Sequence, residues 1–483
     1  MAEPAAGDVL APSELKRSIT GKQLYFYVVG DVLGSGIYVL IGLVAAAVGG
    51  AFWMAFLAGV AVATITGLAY AELVTKYPQA AGASLYINKA FRSPVLTFFI
   101  TICMLSANMA AVGSLASGFV RYFAGVVGMS EDAVIPTLLI AIAFITLITV
   151  INLIGISESV VANVVMTFIE LSGLLLIMVI GVIAVVRGIS DPGVLLEFSG
   201  EGSKAIAVVS GVSLAFFAMT GFENAANVAE ETIDPSRAFP RALIGGMLTA
   251  GTVYVLVSVS AALAVPIETL SGNTLLTVIE ADLLPIPASV MLVVFGLIAM
   301  VAISNTTLVT VVAQSRILYG MARENVVPGV FAKVHPTRRS PYVALLFGAA
   351  IVGVLLLIGA LIQLGGSELD IVDRLATITV VFLLFIYALV IVACLKLRGT
   401  EERPDTYRAN TPLLILGIIG NLLVLFYTVY DDPGSLLWVA GLLAVGLVLF
   451  LAQRLSGGAG TRPPGTGRGT LGAAEAPATD KEL

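Results

Sequence analysis

The sequence predicts an all-α, polytopic membrane protein of about twelve transmembrane helices, two of them broken near mid-membrane. Three observations carry that prediction. Hydrophobic residues fill 58% of the 483 positions and charged residues only 12%, with a mean hydropathy of +1.03, far too apolar for a soluble chain of this length. Twelve apolar runs of roughly 20 residues or more follow one another, the length needed to cross about 30 Å of hydrocarbon. Finally, the first and sixth runs are interrupted by glycines where an unbroken helix would have none.

The same composition argues against other classes. A net charge of −6 with no basic patch does not suggest a nucleic-acid partner. One His and two Cys leave no metal-ligand cluster, and no cofactor is expected. No Ser/His or Cys/His pair falls within the spans, and the sole His335 sits in a loop, so the chain does not read as an enzyme. Cys103 and Cys394 lie in apolar runs and are expected as buried free thiols.

Residues 1–23 are polar and read as a cytoplasmic segment with no cleavable signal peptide ahead of the first span. Span one, 24–50, carries Gly34-Ser35-Gly36 at its middle. Gly lowers helix stability by roughly 1 kcal/mol relative to Ala, and an opened turn in hydrocarbon leaves backbone groups without water. Two readings fit. A broken helix aims free N–H groups and the positive end of its second half into a protein-lined cavity, where they attract a carboxylate; alternatively, the glycines let another helix approach closely.

Span two is placed at 52–75, and residues 79–91, bounded by Pro78 and Pro94, are expected as a short helix lying in the membrane interface. Spans three to five follow at 94–120, 134–155 and 159–187. Span six, 204–229, contains Phe216-Phe217-Ala218-Met219-Thr220-Gly221-Phe222-Glu223-Asn224, which puts Gly221 and the ionisable Glu223 at mid-membrane depth. The remaining spans are 238–264, 286–322, 341–362, 372–396, 412–429 and 435–454, the eighth continuing into the cytoplasm as a helix that ends near Asn325. Residues 456–483, rich in Gly, Pro, Ala and Thr, read as a disordered cytoplasmic tail.

All but four of the 25 Lys and Arg residues fall on the side of the N-terminus, the exceptions being Arg121, Arg187, Lys204 and Arg374. Basic residues stay inside, so both termini are expected in the cytoplasm. Spans one to five (about 24–187) and six to ten (about 204–396) each begin with a broken helix. Because five is odd, the two sets cross the membrane in opposite directions, the inverted repeat of many secondary transporters. The last two spans, 412–454, form an extra pair in a transmembrane domain of 24–455.

Several ordered motifs then accumulate. They are Gly34-Ser35-Gly36-Ile37-Tyr38; Ala71-Glu72-Leu73 with Pro78, Gly82 and Tyr86; the Phe-Phe-Ala and Gly-Phe-Glu stretch of span six with Glu230-Glu231, Pro235, Arg237, Pro240 and Arg241; and Ser315-Arg316 with Leu318-Tyr319-Gly320-Met321-Ala322-Arg323 and Pro328. On these residues, from about 20 to 455, the chain resembles the amino acid–polyamine–organocation transporter superfamily, in its amino-acid permease branch. The resemblance implies a five-plus-five inverted-repeat, LeuT-like fold with an amino acid bound between the two broken helices. Its α-carboxylate would meet backbone N–H groups at Gly34, Ser35, Gly36 and Ile37. Its α-ammonium would meet carbonyls at Phe217, Ala218 and Thr220, beside Gly221.

Phe217 falls where similar transporters carry an aromatic gate; a lipid- or core-facing ring is the alternative. Asn108 and Asn305 are amides at membrane depth that need partners inside the protein, as interhelical glue or as substrate contacts, with the resemblance favouring contact for Asn108. Little near the site reads as arranged for a charged side chain, so a small or apolar neutral amino acid is expected.

Asp31, Glu170 and Glu223 are intramembrane acids and hence coupling candidates. Several similar transporters have a Lys at the position of Glu170. The Glu fits a proton carrier, a residue attracting a cation, or glue paired with buried hydroxyls. Ser304 and Thr307 fit either part of a sodium site or hydroxyls bonded to their own backbone. Glu230 and Glu231 with an Arg such as Arg237 fit an inner gate, although loop Arg residues also simply set topology. The reading is a secondary active amino acid transporter of the plasma membrane working by alternating access, with the bilayer as its setting and H+ as the coupling ion. Amino acid exchange or a polyamine or organocation carrier is the alternative; from a different class, a membrane sensor or channel.

Overall fold

Thr20 starts the first helix: its hydroxyl accepts the Gln23 N–H while the Gln23 side chain accepts the Thr20 N–H, a capping box that satisfies two otherwise orphaned donors. In the computed structural model, residues 17–80, 82–129, 133–199, 203–324, 326–366, 371–400 and 405–455 are described. Residues 1–16 of the expected N-terminal segment, Asn325 and the expected tail at 456–483 lie outside them. Helix α1 (Gly21–Leu33) and α2 (Ser35–Val48) are the two halves of the first span, followed by α3 (Trp53–Lys76), α4 (Gly82–Phe91), α5 (Pro94–Val127), α6 (Val134–Ile154) and α7 (Ile156–Val186).

The second set opens with α8 (Lys204–Met219), continued after Gly221 by the 3-10 helix Phe222–Glu231. It goes on through α9 (Pro235–Ala264), two short pieces α10 (Ile267–Leu270) and α11 (Leu276–Glu280), α12 (Ala288–Arg323), α13 (Tyr342–Leu364) and α14 (Ile371–Leu397). Helices α15 (Thr411–Asp431) and α16 (Ser435–Leu455) form the extra pair. Eleven spans are long and apolar enough to cross a membrane among the described residues; the twelfth expected span falls on α16, where the shorter apolar stretch Ser435–Ala444 is found. The fold is all-helical as expected, and the eighth span runs to Arg323.

Enclosure differs sharply between helices. The apolar windows of the broken first span, α14 and α5 are 88%, 78% and 72% buried, against 28% for α6 and α15. A shell of α6, α13 and α15 therefore offers its leucines and isoleucines outward, while α1, α2, α5 and α14 form the centre. α1 packs on α9 and α7, α2 on α8, and α5 on α12 and α14.

The short helix expected over 79–91 is present as α4 (Gly82–Phe91), packed among other helices. α4 has Ser84, Tyr86 and Ile87 fully buried, lies between α5 and α14 against the 3-10 helix, and sets Tyr86 edge-on to Tyr70. Gly82, at φ +45°, turns the chain inward where a side chain would meet Asn227. Two prolines marked the ends of α4 correctly, but only its tertiary neighbours decide which way it faces.

On the side expected to be cytoplasmic, Glu72 of α3 takes Arg398 in a fork of 2.7 and 2.8 Å and also accepts the Ala409 N–H at 2.8 Å. This hydrogen bonding holds the Arg398 guanidinium above its ordinary pKa. The N-terminal residues are fastened too: Ser18 and Ile19 donate their N–H groups to the Glu231 carbonyl, and Ile19 accepts from Ile233.

Candidate functional site

The two breaks face each other across the centre. Gly34 turns the chain between α1 and α2 at φ −39°, ψ −147°, and Gly221, at φ +119°, turns it after α8 in a conformation that favours glycine. A Cβ on Gly36 would stand 2.6 Å from the Ala218 Cβ with the Ala218 backbone closer still, and one on Gly34 would overlap the Thr306 side chain. The glycines thus serve close approach. They also leave the first-turn N–H groups of α2 without intrahelical acceptors, so the two readings of Gly34 and Gly36 coexist in one geometry.

Between the breaks lies a cavity lined by residues of both. Of the sequence-predicted residues, Gly36, Asn108, Phe217, Ala218, Thr220 and Gly221 line it, joined by Asp31 and Glu223. Gly34, Ser35 and Ile37 do not line it, although they build the break beside it. Val32, Ala111, Leu115, Asn224, Thr306, Thr310, Thr379 and Leu383 complete the wall, and no Lys, Arg or His contributes. A second, apolar cavity shares Phe217 and Leu115 with the first, so Phe217 borders two spaces.

Two of the three carbonyls expected to receive an ammonium, those of Phe217 and Ala218, are already engaged. Phe217 O accepts the Thr220 N–H at 3.2 Å and the Thr220 hydroxyl at 2.7 Å. Ala218 O accepts the Tyr254 hydroxyl at 3.1 Å, and that hydroxyl also reaches Val32 O. Other polar atoms are open. Asp31 Oδ2 accepts from the Asn224 amide at 2.9 Å, but Asp31 Oδ1, Asn224 Oδ1 and Asn108 Nδ2 have no partner. Glu223 is tied locally, its Oε2 accepting the Gly221 N–H at 2.9 Å.

Asn305 lies away from the cavity. Its amide N donates toward Gly30 O at 3.3 Å, Thr167 Oγ1 at 3.2 Å and Glu170 Oε2 at 3.3 Å, while its Oδ1 accepts from Asn163 at 2.8 Å. That knot ties α1, α7 and α12 together, and a side chain on Gly30 would fill it. Glu170, fully buried, keeps Oε1 without a partner. Ser304 and Thr307 each donate to the carbonyl four residues back at 2.7 Å. Among the described residues no group of three or more His, Cys, Asp or Glu is placed to hold a metal ion.

At the end of the same helices expected to be cytoplasmic, Glu231 meets Arg316 at 3.2 and 3.4 Å, with both side chains buried. Glu230 meets Arg323 at 3.1 Å and accepts the Ala80 N–H at 3.1 Å. Arg237, the expected partner, is not part of this arrangement: its side chain is 78% exposed and 3.8 Å from Asp234, because the first turn of α9 points it outward. Sequence reasoning had placed Arg316 and Arg323 in a motif without a role. The available signal was a cation at the inner end of an apolar helix, which needs an acid to pair with.

Three comparisons bear on this geometry. A family model described as "Amino acid permease" matches residues 19–451. The branched-chain amino acid permease BcaP of Bacillus subtilis is 27% identical over 413 residues, covering 82% of this chain and 83% of the relative. The inner membrane transport protein YbaT of Escherichia coli is 26% identical over 88% of this chain and 94% of its own. Cationic amino acid transporter 5 of Arabidopsis thaliana is 27% identical over 83% and 68%. Among solved structures, MhsT in complex with L-phenylalanine superposes with a TM-score of 0.64 at 15% identity, over 84% of this chain and 97% of that one. This likeness shows the fold.

Proposed function

The chain belongs to the amino acid permease family, and from that membership we propose that it is a secondary active transporter carrying an amino acid across the plasma membrane by alternating access, coupled to a proton. The observation that carries the proposal is the cavity between two broken helices, with ion pairs at one end of those helices and an aromatic ring at its side. The N-terminal end of α2 offers partial positive charge to a carboxylate at Gly36. Ala111, Leu115 and Leu383 offer an apolar wall to the side chain, which favours a small or apolar neutral amino acid. Arg316–Glu231 and Arg323–Glu230 would close the cytoplasmic side, and Phe217 would lie between the cavity and the outer space. Both termini then face the cytoplasm.

Glu170 is the proposed proton carrier. It is buried where α1, α7 and α12 meet, has one free oxygen, and is held by Asn305, whose other bond reaches the first broken helix at Gly30. A change in its charge would be felt directly by the helix that must move.

Reconstituted in liposomes, the protein should accumulate a labelled amino acid above equilibrium when the outside is acidified, and a protonophore should abolish accumulation. Uptake only into liposomes preloaded with amino acid would make it an exchanger, and binding without movement a sensor. Glu170→Gln should flatten the pH dependence of uptake; a wild-type pH profile would transfer the role to Asp31 or Glu223.

A further inference from the structure

We infer that Asp31 and Asn224 form the site that holds the ammonium group of the substrate, an assignment that rests on an amino acid occupying the central cavity. Asp31 sits in the last turn of α1, where the free carbonyls of a helix end already carry partial negative charge. A carboxylate there is unfavourable unless a cation meets it, and no Lys, Arg or His lines the cavity. The nearest support is one amide N–H from Asn224 at 2.9 Å.

Three polar atoms at this cavity are without partners, on side chains that are 1%, 3% and 4% exposed: Asp31 Oδ1, Asn224 Oδ1 and Asn108 Nδ2. Buried polar atoms are rarely left unpaired, so an empty pair of acceptors on one wall points to a donor that arrives with the ligand. An ammonium supplies three such donors. Two of the three carbonyls considered for this role, those of Phe217 and Ala218, are engaged by Thr220 and Tyr254.

The arrangement is also consistent along the broken helix. The C-terminal end of α1 with Asp31 and the N-terminal end of α2 with Gly36 both face the cavity and carry opposite partial charges. An α-amino acid laid across the break sets its ammonium at the first and its carboxylate at the second. Gly221 keeps the geometry, since a Cβ there would lie 2.9 Å from the Asp31 carboxyl. The specificity consequence is that the ammonium is obligatory. A decarboxylated amine keeps its strongest contact and a 2-hydroxy acid loses it.

The test is ligand binding to the purified full-length protein, read as the concentration dependence of its thermal unfolding. The probes are the twenty standard L-amino acids, the primary amines putrescine, cadaverine and 3-methylbutylamine, and the 2-hydroxy acid matching each amino acid that binds. The 2-hydroxy acids should not bind, and Asp31→Asn should weaken the amino acid and its amine by at least about tenfold, the scale of a lost charged hydrogen bond. Asn224→Ala should weaken both to a smaller degree, and it carries the test if Asp31→Asn does not fold. Wild-type affinity in both variants, or a hydroxy acid binding as well as its amino acid, overturns the assignment. Amines binding through Asp31 while no amino acid binds would keep the anchor and remove the amino-acid reading. Silence from every probe would remove both.

Discussion

Gly36 concentrates the logic of the centre. Any side chain there meets the Ala218 backbone, and overpacking of this kind costs about 1–3 kcal/mol. Gly36→Val should therefore abolish amino acid binding while the protein still reaches the membrane; unchanged affinity in the variant would remove Gly36 from the site. The need for a glycine was legible, because glycine is a poor choice inside a membrane helix unless its lack of a side chain is used. Asn305 was legible only as an amide at depth. Helical position does not say which neighbour a side chain faces, and it faces Gly30, Thr167 and Glu170 instead of the cavity. The open oxygen of Asp31 and the engaged carbonyl of Ala218 could not be read from sequence at all, since they depend on Asn224 and Tyr254 arriving from distant positions.

At the scale of elements, the C-terminal end of α12 shows how much a helix end can hold. Arg316 is fully buried and paired to Glu231. Removing one member of a buried pair leaves an uncompensated charge and costs about 3–5 kcal/mol, whereas replacing both by apolar residues costs far less. Arg316→Met and Glu231→Met should each destabilise on that scale, and the double variant should recover most of the loss in thermal unfolding. Additive losses would show that the two residues act separately. The sequence reading paired Glu230 or Glu231 with Arg237, the cation adjacent in the chain. The actual partners lie 85 and 93 positions away from the acids they meet, a separation that spacing arguments do not reach. α4 has the same lesson: its ends were readable from Pro78 and Pro94, its burial was not.

For the whole molecule, hydropathy was sufficient to place the spans, because bilayer thickness leaves little freedom in helix length. The parity of two five-span sets followed from the same pattern. Orientation rests on the sorting of Lys and Arg, and it has a direct check. Both native cysteines are buried, so the wild-type background should react weakly with an impermeant thiol reagent. In intact cells Thr269→Cys, in the exposed connection after α9, should label, and Thr400→Cys, after α14, should label only once the membrane is opened. The reverse pattern would invert the topology. One further consequence concerns Glu231, which is gripped twice: Ser18 and Ile19 hold its main chain, and Arg316 holds its side chain. If the proposed inner gate opens by releasing Glu231, both grips must give way together, so that barrier should yield all at once or stay shut. Packed contacts with two discrete arrangements behave this way, without half-open intermediates. In the proposed proton-coupled transporter, a barrier of that kind would keep the electrochemical gradient from draining through a carrier that is standing idle.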